Sequence, residues 1–352
     1  MERNSKSEPL STQIKNHVSK PVIKKQEEEY DGDFGKVIST GSTLLDLAIS
    51  GGRVKGGGLP GGILVEVFGP NQSGKTVLLS EIAGAIQRQG GEIQFHDPEA
   101  RLNTTFAQLF GMKIKEEDYY VPDKVPEVFE VVRSWEPKGK KDIIHGVFAD
   151  SLAALSTKME MEEDEGDKMG MRRAKEFSEQ LRKTCRVIKE KNYLMVCSNQ
   201  IRDNLDTQSH IKYTTPGGKA MGFYSSLRLR FNNPEKINAE ATVAGKVVKR
   251  VVGVKTVVEV FKSSIWSPFR TAPIVIIFDY GIDNVMTSLQ FIKDYTKNTI
   301  YTINGENLDK SMGKAIQIIE EEKLESQLRE EVIDLWEDIE SKFKSDRKPK
   351  ER

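Results

Sequence analysis

The sequence is poor in the residues that mark an oxidising compartment or a membrane protein. It has 2 cysteines in 352 residues, Cys185 and Cys197, both in apolar stretches and without a CxxC spacing. We therefore expect buried thiols in a reducing compartment, and neither a disulfide nor a zinc site. No run approaches the roughly 18 to 20 apolar residues of a membrane span, and the N-terminal MERNSKSEPLSTQ has no apolar signal-peptide core. These absences predict a cytoplasmic protein with no membrane partner.

A net charge is also absent. Lys plus Arg and Asp plus Glu each total 53, so no global field indicates a nucleic-acid partner, and any basic surface must be local. Hydrophobic residues make up 37% and charged residues 30% of the chain, which argues against disorder over most of its length. Composition thus allows DNA binding without predicting it.

Changes in composition along the chain predict four segments. Residues 1–36 are polar and charge-mixed, as in an arm that docks on another surface. Residues 37–281 alternate short apolar runs with helical stretches, residues 282–342 have helical periodicity, and residues 343–352 have no apolar content. We expect an arm, a main domain, a small C-terminal domain and a disordered basic tail.

Seven apolar runs within the main domain predict strands: LVEVFG, EIQFHD, IIHGVFAD, YLMVCSNQ, SLRLRF, KTVVEVF and APIVIIFD. Because helical stretches separate them, the fold class is α/β, with a mainly parallel sheet covered on both faces.

One segment has a specific nucleotide-binding pattern. The sequence GPNQSGKT matches G-x-x-x-x-G-K-[ST] between an apolar strand and a helix, a context that disfavours a mere glycine-rich turn. Its glycines let backbone N–H groups surround phosphates, Lys75 contacts the terminal phosphates, and Thr76 binds Mg²⁺. The predicted nucleotide-binding residues are Gly69, Pro70, Asn71, Gln72, Ser73, Gly74, Lys75 and Thr76.

Two carboxylates follow neighbouring predicted strands. Asp150 ends IIHGVFAD, where it would complete the Mg²⁺ shell, although such a residue is often only a strand end. Glu99 lies just beyond EIQFHD, where it would orient the attacking water. Because the carboxyl ends of parallel strands converge, we expect Asp97, Glu99 and Asp150 to face one crevice. The alternative for Glu99 is a solvated carboxylate beside Arg101.

The motifs together resemble the RecA family of recombinases. The segments ISTGSTLLDLA, GGLPGG, VEVFGPNQSGKT, DPEARLN, FADSLAALS, SNQIR, TTPGGKAMGFYSSLRLR and SPF occur in the RecA order. The resemblance implies a RecA-type P-loop ATPase core with an N-terminal polymerisation arm and a small α+β C-terminal domain. It also implies ATP and Mg²⁺ as cofactors, and roles in DNA recombination, DNA repair and the SOS response.

By this resemblance, Glu99 is the catalytic glutamate, Gln200 senses the γ-phosphate, and Phe106 stacks on adenine. The alternative for Phe106 is an ordinary helix core contact with Phe110 and Leu109. The segment 201–218 resembles a DNA-contacting loop, and a charge-rich segment before it resembles a second one, although it is also compatible with a solvated surface. The implied DNA contacts are Lys168, Met169, Gly170, Arg172 and Arg173 in the earlier loop, and Arg202, Lys212, Tyr213, Gly217 and Gly218 in the later one.

The chain departs from the family pattern at several positions. Lys262 matches one of two lysines that reach a neighbouring subunit's ATP, but Ser264 replaces the other, which weakens charge compensation unless another base supplies it. Ser209 stands where the later loop would have an aromatic residue, so Tyr213 is the candidate substitute. An insertion, RVKGG, precedes GLPGG, and the tail is basic instead of acidic.

The resemblance implies a helical filament on single-stranded DNA that pairs with homologous double-stranded DNA. The sequence leaves two alternatives open on the same core. One is a ring-shaped helicase or translocase, and the other is a mediator that uses nucleotide only as a switch.

Overall fold

The computed structural model describes residues 36–138, 142–156, 169–203, 213–214 and 219–347. Of residues 1–36, only Lys36 is included, and part of the tail lies outside these ranges.

Strands and helices alternate through most of the described chain. The strands are β1 Val37–Ile38, β2 Leu59–Pro60, β3 Ile63–Gly69, β4 Ile93–His96, β5 Tyr119–Tyr120, β6 His145–Ala149, β7 Tyr193–Gln200, β8 Arg202–Asp203, β9 Tyr213–Thr214, β10 Leu227–Phe231, β11 Glu235–Val243, β12 Lys246–Ser263, β13 Thr271–Ile277, β14 Gly281–Ile282, β15 Thr302–Ile303 and β16 Glu306–Asn307. The helices are α1 Thr43–Ser50, α2 Lys75–Arg88, α3 Thr104–Leu109, α4 Val125–Ser134, α5 Met169–Glu190, α6 Lys219–Tyr224, α7 Asn284–Thr296, α8 Met312–Glu321 and α9 Glu325–Ser341. Two 3-10 turns lie at Glu116–Asp118 and Leu152–Ala154.

One large sheet organises the fold. Its strand order is β14-β13-β12-β10-β3-β7-β6-β4-β5, and β11 pairs with β12 beside this path. Successive strands from β10 to β5 pair in parallel. The pairs β10–β12, β11–β12, β12–β13 and β13–β14 are antiparallel. The predicted α/β class with a mainly parallel sheet is confirmed, and all seven predicted apolar runs form strands.

Helices cover both faces of the sheet and create two apolar clusters. Residues of α1, α2, α7, α8 and α9 pack on one face. Residues of α4, α5 and α6 pack on the other face, around Phe129 and Phe177. Because both faces are covered, every residue of the central strand β3 is buried, which explains its almost continuous apolar sequence.

The C-terminal helices share the apolar cluster of the sheet. Ile319 and Leu328 are fully buried within it. The inserted RVKGG loop contacts α9, because Lys55 Nζ lies 3.1 Å from the Glu330 carboxylate and Arg329 Nη2 donates to the Gly56 carbonyl at 3.3 Å. The boundaries 37–281, 282–342 and 343–352 stay a prediction. No helix in the described ranges is both long and apolar enough to span a bilayer.

A two-stranded ribbon of β11 and β12 extends beyond the sheet. The pairing of β12 with β13 stops at Gly253, while β11 and β12 continue together to the pair Val243 and Lys246. Ala244 and Gly245 join them with φ of 50° and 78°, as a two-residue type I′ turn requires. Only KTVVEVF was expected as strand here, because both faces of the ribbon are largely exposed and its sequence lacks a clear period of two.

His96 is a buried histidine on the face of β4 next to Tyr120. Its ring stacks on Tyr120 with 4.9 Å between centroids, and neither ring nitrogen has a hydrogen-bond partner among the described residues. Burial lowers the pKa of His96 from 6.5 to about 4. The neutral ring thus lies in the core without the hydrogen bonds that usually offset its desolvation.

Replacement of His96 by leucine should stabilise the protein. Removing the unpaired nitrogens should raise the free energy of unfolding at pH 7 by about 1 kcal/mol. In the wild type, the unfolded chain takes up a proton near pH 6.5 that the folded chain accepts only near pH 4, so stability falls as the pH falls through this window. The variant should lack this loss, which amounts to up to about 3 kcal/mol. Urea unfolding at pH 7 and pH 4.5 measures both effects.

His145 provides the matched control. It is also buried, but its Nδ1 accepts the Glu92 backbone N–H at 3.1 Å. His145→Leu should therefore destabilise the protein. An unchanged pH dependence in His96→Leu would show that His96 does not cause the acid sensitivity.

Candidate nucleotide-binding site

The phosphate-binding loop lies between β3 and α2, at the carboxyl end of the central strand. Gly74 immediately precedes the helix with φ of 98°, and a Cβ added there would lie 2.2 Å from the Ile276 side chain. The Ser73 hydroxyl donates to the Pro70 carbonyl at 2.9 Å, which closes the loop. Glycine is therefore favoured at position 74 for its backbone conformation, and a larger residue would also displace the end of the Ile276 side chain. The loop leaves the N-terminal end of α2 facing the crevice, as anion binding needs.

Lys75 lies inside the curve of this loop. Its Nζ donates to the carbonyls of Pro70 at 2.6 Å and Gly69 at 3.2 Å. Burial lowers the pKa of Lys75, while the carboxylates of Asp150 and Glu99 oppose that effect. The ammonium thus lies within the loop and among the residues that line the crevice.

Asp150 joins two hydroxyl groups from different elements. Thr76 Oγ1 donates to Asp150 Oδ2 at 2.5 Å, and the Ser198 hydroxyl donates to the other carboxylate oxygen. Carboxylate and hydroxyl oxygens are donors that Mg²⁺ accepts, so Thr76 and Asp150 fit the predicted metal role. Ser198 was missed by the sequence reasoning, because a serine inside a buried strand has no distinctive local signal.

Asp97 organises the turn that carries Glu99. Its carboxylate accepts the backbone N–H groups of Glu99 at 3.2 Å, Arg101 at 2.8 Å and Leu102 at 2.7 Å. The Tyr119 hydroxyl also donates to it at 2.8 Å. Burial and the bond to Asp97 raise the pKa of Tyr119 to about 12, so the hydroxyl stays protonated as a donor near neutral pH.

Glu99 lies in the crevice and has two side-chain contacts. Arg101 Nη1 lies 2.8 Å from Glu99 Oε2, and the Ser151 hydroxyl donates to Oε1 at 3.4 Å. The sequence offered two interpretations of Glu99, a carboxylate in the crevice and a solvated carboxylate beside Arg101. In the structure the carboxylate pairs with Arg101 and also lines the crevice. The crevice is lined by Asn71, Gln72, Lys75, Thr76, Phe95, Asp97, Glu99, Arg101, Leu102, Asp150 and Gln200.

The crevice brings together most of the sequence-predicted catalytic residues. Gln200 is the last residue of β7 and belongs to the lining. Phe106 lies on α3, is 36% exposed, and makes an edge contact with Phe110 at 4.5 Å between centroids. It is not one of the residues that line the described crevice. Its adenine-stacking role stays a prediction.

Lys262 lies on β12, away from the lining residues. Its Nζ donates to the carbonyls of Gly222 at 2.8 Å, Phe223 at 3.1 Å and Ser225 at 2.7 Å. These contacts hold the lysine against α6. Burial and the Arg228 cation lower the pKa of Lys262.

A buried ion pair lies between Gln200 and Lys262. Glu66 is fully buried in β3, where Arg228 Nε lies 2.5 Å from Oε2 and Asn199 Nδ2 donates to Oε1 at 3.0 Å. The Arg228 guanidinium also lies 4.6 Å from the centre of the Phe68 ring. Sequence reasoning missed this pair, although a glutamate within LVEVF and an arginine within SLRLRF are unusual in core strands.

The two segments predicted to contact DNA are only partly described. Met169, Gly170, Arg172 and Arg173 lie at the start of α5. Arg202 in β8 and Tyr213 in β9 belong to a short antiparallel ladder, where the sequence indicated a loop without strands. The remaining predicted contacts, Lys168, Lys212, Gly217 and Gly218, lie outside the described residues.

Replacement of Tyr119 by phenylalanine tests the support of the Glu99 turn. Loss of the hydroxyl that donates to Asp97 should lower the free energy of unfolding by about 1 to 2 kcal/mol. Tyr120→Phe, one residue away, is the matched control; it removes only a long 3.5 Å contact from the Gln94 amide and should cost less. Chemical denaturation of both variants measures the difference, and equal stabilities would rule out a contribution from the Tyr119–Asp97 bond.

Comparisons with known proteins agree with these features. Residues 8–283 match the family model for the RecA N-terminal domain. The chain is 34% identical over 290 residues to Protein RecA of Delftia acidovorans, covering 81% of this chain and 75% of that protein. It is 32% identical over 329 residues to Protein RecA of Bacillus subtilis, covering 90% and 89%. The crystal structure of the RadB recombinase aligns with 70% of this chain and 98% of its own, at 20% identity and a TM-score of 0.47, too low to add to the assignment. The chain belongs to the RecA family.

Proposed function

We propose that this protein is an ATP-dependent DNA recombinase that assembles on single-stranded DNA and promotes pairing and strand exchange with homologous double-stranded DNA. The observation that supports it is the convergence of ATPase residues at the carboxyl ends of four parallel strands, in a chain of the RecA family. These residues are Lys75, Thr76, Glu99, Asp150 and Gln200.

The phosphate loop and its flanking oxygens would hold the nucleotide and its metal. Lys75 and the backbone at the start of α2 would contact the terminal phosphates. Thr76 and Asp150 would hold Mg²⁺, which neutralises charge that develops on the phosphates. Because Asp150 already accepts the Thr76 hydroxyl, the two oxygen donors lie side by side without a rearrangement of the strands.

Glu99 would act on the attacking water. Its carboxylate accepts the proton as the water oxygen bonds to the γ-phosphorus and the bond to the ADP oxygen breaks. Asp97 fixes the backbone of the turn, and the Ser151 hydroxyl lies 3.4 Å from one Glu99 carboxylate oxygen, so the turn directs the carboxylate into the crevice. Positioning of this kind supplies a large part of the catalysis of phosphoryl transfer.

Gln200 would connect the phosphate to DNA binding. It lies in the crevice at the end of β7, and the segment 201–218 with its predicted DNA contacts follows directly in the chain. An amide that bonds the γ-phosphate before hydrolysis and loses that bond afterwards would shift this segment. DNA affinity would then depend on which nucleotide is bound.

Assembly would place each nucleotide between two protomers. Lys262 would face the neighbouring protomer's phosphates, and the segment 1–36 would serve as the polymerisation arm. A head-to-tail contact whose rotation does not close produces a helical filament. Cleavage of the γ-phosphate bond would weaken the contact and release DNA.

Glu99→Gln tests the assigned chemistry. The variant should bind ATP but lose DNA-stimulated turnover by about a hundredfold or more, because glutamine cannot accept the proton. The matched control is Glu117→Gln, an exposed carboxylate on the 3-10 turn Glu116–Asp118. Steady-state phosphate release with and without single-stranded DNA provides the measurement. Undiminished turnover in Glu99→Gln would remove this residue from the mechanism.

Lys75→Ala should impair nucleotide-dependent assembly. Electron microscopy with single-stranded DNA and a slowly hydrolysed ATP analogue should show helical filaments for the wild type and few for the variant. Strand exchange between circular single-stranded and homologous linear duplex DNA should likewise be faster for the wild type than for the variant. Closed hexameric rings would support a helicase instead. Normal filaments from Lys75→Ala would contradict assembly through the shared nucleotide.

A further inference from the structure

Two cations line the described crevice, and they are held in different ways. Lys75 is partly buried and donates to two loop carbonyls. Arg101 has a side chain that is 79% exposed and a guanidinium that pairs with Glu99 at 2.8 Å. The sequence indicated no role for Arg101 beyond its place beside Glu99.

The backbone of Arg101 is fixed, whereas its side chain extends into solvent. Its N–H donates to the buried carboxylate of Asp97 at 2.8 Å, within the same turn that positions Glu99. The side chain therefore extends from a fixed backbone position at the rim of the crevice. Because the Arg101 side chain is largely in solvent, its guanidinium can exchange Glu99 for a better anion without leaving a buried position.

A bound triphosphate would present that better anion. Guanidinium groups bind phosphate and carboxylate through the same paired N–H donors, and the γ-phosphate carries more charge than one carboxylate. Glu99 sets a second requirement, because Arg101 occupies its Oε2 and must release this oxygen before it can accept a proton from water. Transfer of Arg101 from Glu99 to phosphate would meet both needs.

Among the described residues that line the crevice, Lys75 is the one other cation that could meet this phosphate. Lys262 is held by three carbonyls near α6, and the second position where the resemblance expects a lysine is Ser264. Arg101 needs no second protomer to reach the crevice, because it already lines it.

We propose that Arg101 is a γ-phosphate-binding residue whose resting partner is Glu99. Entry of the triphosphate moves the guanidinium from the carboxylate to the phosphate and leaves Glu99 free to accept the proton of the attacking water. ADP lacks the γ-phosphate, so the Arg101–Glu99 pair persists when ADP is bound. This inference rests on the proposed ATPase function and adds a residue that distinguishes ATP from ADP.

Binding of Mg²⁺-ADP and of a Mg²⁺-bound, non-hydrolysable β,γ-imido analogue of ATP tests the proposal without DNA. Calorimetric titration should show that Arg101→Ala weakens binding of the ATP analogue by about tenfold, the effect of one lost charged hydrogen bond. ADP affinity should change by less than about twofold, since the lost contact is to the γ-phosphate alone. Arg101→Lys should recover part of the loss, because a lysine keeps the charge but not the paired donors.

Arg186→Ala is the matched control. Arg186 is 84% exposed and forms a 2.8 Å pair with Glu190 on the surface of α5. Its removal should leave both affinities unchanged, and thermal melting should show that all variants are folded.

The proposal is overturned if Arg101→Ala retains the wild-type preference for the ATP analogue over ADP. It is equally overturned if both affinities fall together, because Arg101 would then shape the loop and not contact the γ-phosphate. Failure of the proposed function has a different signature, namely a wild-type protein whose ATP turnover does not respond to DNA.

Discussion

The carboxylate of Asp150 holds together the chain segments on which the nucleotide site depends. One oxygen accepts the hydroxyl of Thr76 at the start of α2, and the other accepts Ser198 within β7. Asp150 itself follows β6, so one side chain joins the phosphate loop to two neighbouring strands. The group that would hold a metal ion is therefore also the group that aligns the walls of the crevice.

Glu66 has a similar role in β3, beside the neighbouring strand β7. It bonds Asn199, the residue before Gln200, and pairs with Arg228 on the neighbouring strand β10. Arg228 in turn lies close enough to Lys262 to lower its pKa. A buried charge pair is costly unless its geometry is maintained. A shift at the end of β7 would therefore move Asn199, Glu66 and Arg228 together or not at all. This network is a physical connection between the phosphate side and the surface that carries Lys262.

Much of this architecture could be predicted because its signals are local. The seven apolar runs, the GPNQSGKT loop, Asp150 and Glu99 each stand out in a few consecutive residues. The connections between them could not be predicted, because the Tyr119–Asp97 bond and the Asp150–Ser198 bond join residues 22 and 48 positions apart. The β11–β12 ribbon was missed because its local sequence carries no strand signal. A strand exposed on both faces lacks the alternation of apolar and polar residues that burial of one face imposes.

The charges of the crevice suggest why binding of nucleotide and assembly would be linked. Its described lining contains three carboxylates, Asp97, Glu99 and Asp150, against two cations, Lys75 and Arg101. A triphosphate adds several negative charges to this excess, which the described lining residues compensate poorly. Mg²⁺ at Thr76 and Asp150 would supply part of the missing charge, and a cation from a neighbouring protomer would supply more. The metal ion and the neighbouring cation would each strengthen the binding of nucleotide, so nucleotide affinity would rise with assembly. Loss of the γ-phosphate would weaken both nucleotide binding and assembly.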